Sequence, residues 1–334
     1  MDENYKIVIV LGNGFDLDLG LKTNYSDFMK SSFFQEKIKT EETSDLSKDL
    51  RNKEELNLFN YLSRKQKILK WIDLESELAA LASTHSIHFQ ETYKGRHEIK
   101  DKNIATLLEE KTFEQIRISL CNYLKELDYS NLNQESAAYK LMNLINFNSN
   151  IEVLSFNYTD LNAMQNNLEI NIDHIHGSTA DESIILGFQD NLDIHNSYCF
   201  MIKSFSPYYQ SHSVRKKILE ADEIIIFGHS LGTTDYHYFQ DLFKRQSDAK
   251  SVHKNIIIRI FTFDEHSRIN ILMRLREMNE NKTNLLYDLC DLAIYRTGVK
   301  EDQKKISTYL KGLEYRLKEF NEKQLSGIPD NVIA

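Results

Sequence analysis

Four polar clusters follow directly on short apolar runs, and their residue types are those of ligand-binding turns and acid–base sites. The first holds Gly12, Asn13, Gly14, Phe15 and Asp16, then Gly20, after the run YKIVIVL at residues 5–11. Glycines permit a tight turn and let backbone N–H groups approach a pyrophosphate, and the start of a helix adds a favourable dipole. The dinucleotide fingerprint GxGxxG is not met, because Leu17 holds its last position and the third glycine arrives at Gly20. A plain strand-to-helix turn without a ligand explains these glycines equally well. Asp16 is harder to explain, since a carboxylate repels phosphate; it suits a ribose hydroxyl, a helix cap or a positioned water.

The second cluster is Asn157, Tyr158, Thr159 and Asp160 after IEVLSF, where an Asx turn or helix cap is the commoner role. The third is His176 with Gly177 after NIDHI, and His174, two residues earlier on the same strand face, is a second candidate. The fourth, after ADEIIIF, is Gly228, His229 and Ser230, with Asp235 following. GHSLG satisfies GxSxG, so Ser230 is a rival candidate as the nucleophile of a serine hydrolase. Its triad would draw on Asp235 or Asp264 with His253 or His266, none marked out by spacing.

The elements that must position these clusters are strands. The runs 5–11, 151–156, 171–176, 183–188, 221–228 and 255–263 are short, apolar and rich in β-branched residues, as in a parallel sheet buried on both faces. From about Asn24 to Phe147 the apolar residues recur at helical spacing instead, as in LFNYLSRKQKILKWIDLESELAALA. The expectation is a doubly wound, Rossmann-like α/β sheet formed by residues 1–23 and 148–334, with 24–147 as a helical insertion after the first βα unit. Ligands of such sheets bind beyond the carboxyl ends of the strands, where all four clusters fall. Within the insertion, helical spacing puts Trp71 and Glu75 on one face and Asp73 elsewhere, so Trp71 reads as a core anchor and Asp73 as a solvated charge. Glu75 is a candidate to reach the site from above.

Composition narrows the classes. A net charge of −9 argues against nucleic acid as the main partner, although a local basic groove is compatible with it. Three scattered cysteines, Cys121, Cys199 and Cys290, make neither a disulfide framework nor a CxxC zinc site, and point to a reducing, cytoplasmic compartment. No apolar run approaches the ~20 residues needed to span a bilayer, and the first residues are polar, so neither membrane helix nor signal peptide is expected.

Together GNGFDLDLGLKTNYSDF, WIDLESEL, SFNYTDL, HIHGS, IILGF and FGHSLGTTD resemble the AbiH family of bacteriophage abortive-infection proteins. The same motifs, in the same order, are similar to a sirtuin-type NAD site. Gly12, Gly14 and Gly20 repeat its glycine spacing; Asn157, His176 and the GxSL of Gly228, Ser230 and Leu231 follow. Asp16 stands where sirtuins have Ser, and Lys22 where they have Pro. The missing CxxC pairs remove the zinc module of a protein deacylase. The resemblance implies a metal-free NAD hydrolase with Asn157 and His176 catalytic. Gly12, Asn13, Gly14, Phe15, Asp16, Gly20, Gly228, Ser230 and Asp235 would bind NAD, Ser230 and Asp235 on the adenosine side. An NAD or nucleotide sensor without turnover is the first alternative. A phage-derived trigger or partner protein and a homo-oligomer complete the expected partners.

Overall fold

The computed structural model describes residues 5–41, 57–68, 73–92, 104–145, 151–164, 172–248, 250 and 255–326. Trp71 lies outside them. Six strands, β1 (Ile7–Leu11), β2 (Ile151–Ser155), β3 (Ile172–His174), β4 (Glu223–Phe227), β5 (Ile257–Thr262) and β6 (Asp291–Arg296), form one parallel sheet in the order 3-2-1-4-5-6. This is the strand order of dinucleotide-binding Rossmann folds, whose crevice opens where the chain reverses between β1 and β4.

The alternation of β1 shows how both faces are buried. Ile7, Ile9 and Leu11 enter a core with α1 (Asn13–Asp18), α7 (Ala137–Ile145), α8 (Leu161–Met164) and the last helix, α13 (Lys300–Ser326). Val8 and Val10 enter the opposite core with α9 (Val214–Glu220), α10 (Tyr236–Gln246), α11 (Glu265–Met278) and α12 (Thr283–Leu289). Period-two alternation between two covered faces is why these strands read as continuous apolar runs.

A third core belongs to the helices that follow α1. It joins α2 (Tyr25–Lys30), α3 (Ser32–Glu41), α4 (Leu58–Ile68), α5 (Leu74–Thr92) and α6 (Ile104–Lys125) to residues 184–202. Apolar residues such as Phe28, Phe34, Phe59, Leu62, Leu78 and Ile116 are fully buried there. Helix α7 lies with the sheet rather than in this core.

Two expectations about strands are corrected. SIILGF at 183–188 is not a sheet strand: its side chains fill the helical core, and Gly187, at φ +132°, takes a backbone conformation open to glycine alone. Its amides bond outside any strand, Ile185 N–H to the His176 carbonyl (2.8 Å) and Phe188 N–H to the Met201 carbonyl (3.0 Å). DLAIYR at 291–296 is instead the sixth strand, at the sheet edge, where half-burial accommodates its charged ends. No helix among the described residues is long and apolar enough to cross a membrane.

Candidate functional site

Strand register brings the polar clusters together. Leu11 is level with Ser155 and with Phe227, and Ser155 with His174. The residues that follow, Gly12, Asn157, His176 and Gly228, therefore leave the sheet side by side. All four line one cavity of about 250 Å³. Its roof comes from the helical layer: Tyr25 of α2, Asp73 and Glu75 at the start of α5, and Leu120 and Leu124 of α6. Asn13, Asp16, Ser230 and Asp235 also line it, whereas Gly14, Phe15 and Gly20 do not. His174 is absent from the lining.

The glycines have a packing role. A Cβ on Gly12 would stand 2.4 Å from the His229 Cα, and one on Gly14 would stand 2.6 Å from the Gly228 Cα. The two turns at the switch point thus lie backbone against backbone. The Gly12 amide donates to the Phe227 carbonyl (2.9 Å), Gly14 to Gly228 (2.9 Å) and Phe15 to Gly12 (2.8 Å), so these N–H groups are engaged within the fold. Gly20 instead ends α1 at φ +90°, with space around it. Phe15 is buried edge-on against Phe227.

Asp16 sits on the cavity floor, 1 % exposed. Asn157 Nδ2 donates to its Oδ1 (2.9 Å) and to the Gly12 carbonyl (3.1 Å), while Thr159 Oγ1 donates to its Oδ2 (2.8 Å). Burial pushes the carboxyl up to about 7, against these two side-chain hydrogen bonds. Asn157 thereby ties β2 to the first turn across the site.

A buried ionic network occupies the other wall. His176 Nε2 lies 3.0 Å from Asp235 Oδ1, and His229 Nε2 lies 3.3 Å from Asp235 Oδ2. Lys203, fully buried, reaches Glu75 Oε2 (2.9 Å), His176 Nε2 (3.2 Å) and Asp235 Oδ1 (3.8 Å). The other Glu75 oxygen accepts from the Tyr158 hydroxyl (3.3 Å). Burial raises Glu75 to about 7 against the pull of Lys203. Burial alone would raise Asp235, but Lys203 and the two imidazoles hold it well below the usual carboxylate range. Burial and the neighbouring ammonium lower His176 to about 4, so its imidazole is neutral at pH 7.

The carboxylate accepts only, so His176 Nε2 carries the proton toward Asp235, and the Lys203 ammonium has its closer acceptor in Glu75. That leaves Nδ1 as the unprotonated nitrogen; it is buried and has no hydrogen-bond partner among the described residues. Two separate carboxyls that titrate near neutrality, Asp16 and Glu75, and a neutral imidazole line one cavity and can hold a polar ligand and move a proton.

Several of these partners are invisible at the level of motifs. Lys203 opens the short helical segment Lys203–Phe205, just after the segment Asn196–Met201, with no flanking pattern, and only its burial marks it. His229 lies inside GHSLG, where the serine takes the attention. Asp73, read as a solvated charge, is corrected: α5 begins at Leu74, and Asp73 accepts from the Glu75 and Ser76 amides (3.1 and 3.3 Å) as its cap. Ser230 is exposed, and no histidine bonds it among the described residues. His229 Nδ1 accepts from the Leu231 amide (3.0 Å) and its Nε2 faces Asp235, so neither nitrogen is directed to a serine. The left-handed residues of this turn are Gly228, at φ +65°, and Leu231, at φ +51°, not Ser230 as a nucleophile elbow would have it.

Fold and site together define a Rossmann-like protein with a cavity lined by polar side chains at the switch point and a helical roof. The family model for bacteriophage abortive infection AbiH matches residues 8–256, about three quarters of the 334 residues, and the chain belongs to the AbiH family. Membership implies a role in phage abortive infection. No curated protein and no solved structure matches the chain.

Proposed function

We propose that this cavity hydrolyses the N-glycosidic bond between nicotinamide and ribose in NAD, removing the dinucleotide from an infected cell. The observation that carries the reading is the convergence of Asp16, Asn157 and His176 on one buried cavity at the carboxyl ends of β1, β2 and β3. The glycine and Asn/His motifs similar to a sirtuin-type NAD site lend it support.

The bond from ribose C1′ to the pyridinium nitrogen breaks, and its electron pair leaves with nicotinamide, neutralising that ring. A water oxygen bonds to C1′ and gives its proton to His176 Nδ1, yielding ADP-ribose. The leaving group is already cationic, so no acid has to protonate it. The barrier lies in the positive charge that develops on the ribose, and the buried Asp16 carboxylate lowers it. Asn157, through its bonds to Asp16 and Gly12, fixes the position of that carboxylate. Asp235 fixes the His176 tautomer.

The volume suits the ribosyl-nicotinamide end. Asp16, Asp73, Glu75 and Asp235 line it and no lysine or arginine among the described residues does, so the phosphates belong at the mouth, beside Asn13, Thr23, Ser230 and Thr234. On this reading the glycine turn lies beneath the ribose and not around the pyrophosphate.

Incubating the purified protein with NAD and separating the products by chromatography tests the reading. Nicotinamide and ADP-ribose in equal amounts are expected from the native chain, with His176→Ala and Asn157→Ala folded but inactive. Nicotinamide release that persists in both variants at the native rate would move the reaction out of this cavity.

A further inference from the structure

A second cavity, of about 820 Å³, lies between α9 and α10 on the sheet face opposite α13, and its character is the reverse of the first. Arg215, Lys216 and Arg245 line it, all exposed, with Glu220 as the one lining carboxylate. Arg245 has no ion pair among the described residues, and Lys216 has only Glu220, at 3.9 Å. Arg215 pairs with Asp241 at the rim. The walls add two tyrosines, Tyr209 and Tyr238, and the imidazoles of His212 and His237. His237 lies against Tyr238 with ring centroids 3.8 Å apart.

We propose that this groove binds a free nucleotide, its base against the Tyr209 and Tyr238 rings and its phosphate on Lys216 and Arg245. Guanidinium and ammonium groups bind phosphate by charge-assisted hydrogen bonds, and an aromatic face receives any base. A volume of this size takes a mononucleotide. One aromatic pair and a chain of net charge −9 give no extended track for a strand of nucleic acid.

Aromatic contacts lie between the groove and the first cavity. Tyr238 packs on Phe156 with centroids 5.6 Å apart, and Phe156 lines the first cavity and packs edge-on against His176 (5.3 Å) and His229 (4.5 Å).

Isothermal titration calorimetry with AMP, inorganic phosphate and a ten-residue oligothymidylate tests this on the full chain. AMP is expected to bind, with Lys216→Ala/Arg245→Ala weakening it at least about tenfold, the effect of losing charge-assisted bonds. Tyr209→Ala is expected to weaken AMP but not phosphate. The Asn157→Ala variant separates this site from the first cavity and is expected to bind AMP in the groove unchanged, whether or not the native chain cleaves NAD. AMP binding lost in Asn157→Ala and kept in the Lys216/Arg245 variant would overturn the proposal. So would binding of the oligonucleotide alone, or of no nucleotide.

Discussion

Replacing Asp16 by Asn is expected to make the protein more stable at alkaline pH and inactive at every pH. The folded carboxyl keeps its proton up to about pH 7, whereas the same group in the unfolded chain releases it near 3.8. Between those values the folded state binds more protons, so stability falls as pH rises and levels off above about 7. At ~1.4 kcal/mol per tenfold change in the ionisation constant, the full difference is on the order of 4 kcal/mol. Asparagine preserves the geometry: its Oδ1 still accepts from Asn157, and its amide donates to the Thr159 hydroxyl that now bonds Oδ2. Urea unfolding of both proteins at pH 4 and pH 8.5 isolates the effect, since the other titrating groups are common to the two chains and cancel in the difference. The advantage of Asp16→Asn should be small at pH 4 and reach a few kcal/mol at pH 8.5. A difference that stays constant, or shrinks as pH rises, would refute the burial argument.

Lys203→Met leaves Glu75 and Asp235 without their shared cation and is expected to cost about 3 to 5 kcal/mol in urea unfolding. Adding Glu75→Gln to the same chain should recover part of that loss. Gly14→Ala, whose Cβ would meet Gly228 at 2.6 Å, should cost about 3 kcal/mol or more, whereas Gly20→Ala, strained only in φ, should cost about 1 to 2 kcal/mol. Melting curves of the two variants check that ordering. Ser230→Ala should keep NAD turnover within about tenfold, the effect of one lost hydrogen bond, where loss of a nucleophile would remove it by orders of magnitude.

The sheet was legible in the sequence because β1, β2, β4 and β5 are largely buried on both faces, which leaves for each a mostly apolar run despite Glu152 in β2, Glu223 at the start of β4 and Arg259 in β5. β6 was not, since an edge strand tolerates Asp291 and Arg296, and 183–188 imitates a strand because full burial in a helical core demands the same residues. The floor of the cavity was legible for a related reason: in a parallel sheet the residues that follow neighbouring strands are level, so Gly12, Asn157, His176 and Gly228 converge by register alone. The roof was harder to read. Glu75 stands a whole helical layer away in sequence, and Lys203 carries no periodic signal, yet the two make the ion pair that joins roof to floor. The glycines were legible as a turn but ambiguous in purpose, because close backbone packing and close ligand approach select the same residue.

The most direct test follows NAD in bacterial cells that carry this protein and are challenged with a phage it restricts, since infection supplies whatever trigger the protein needs. Total NAD should collapse after infection in cells with the native chain and hold steady in cells with Asn157→Ala or His176→Ala at equal protein level, with protection lost in both. Protection that persists with NAD unchanged, or an equal collapse in the variants, would contradict the assignment of NAD hydrolysis to this cavity.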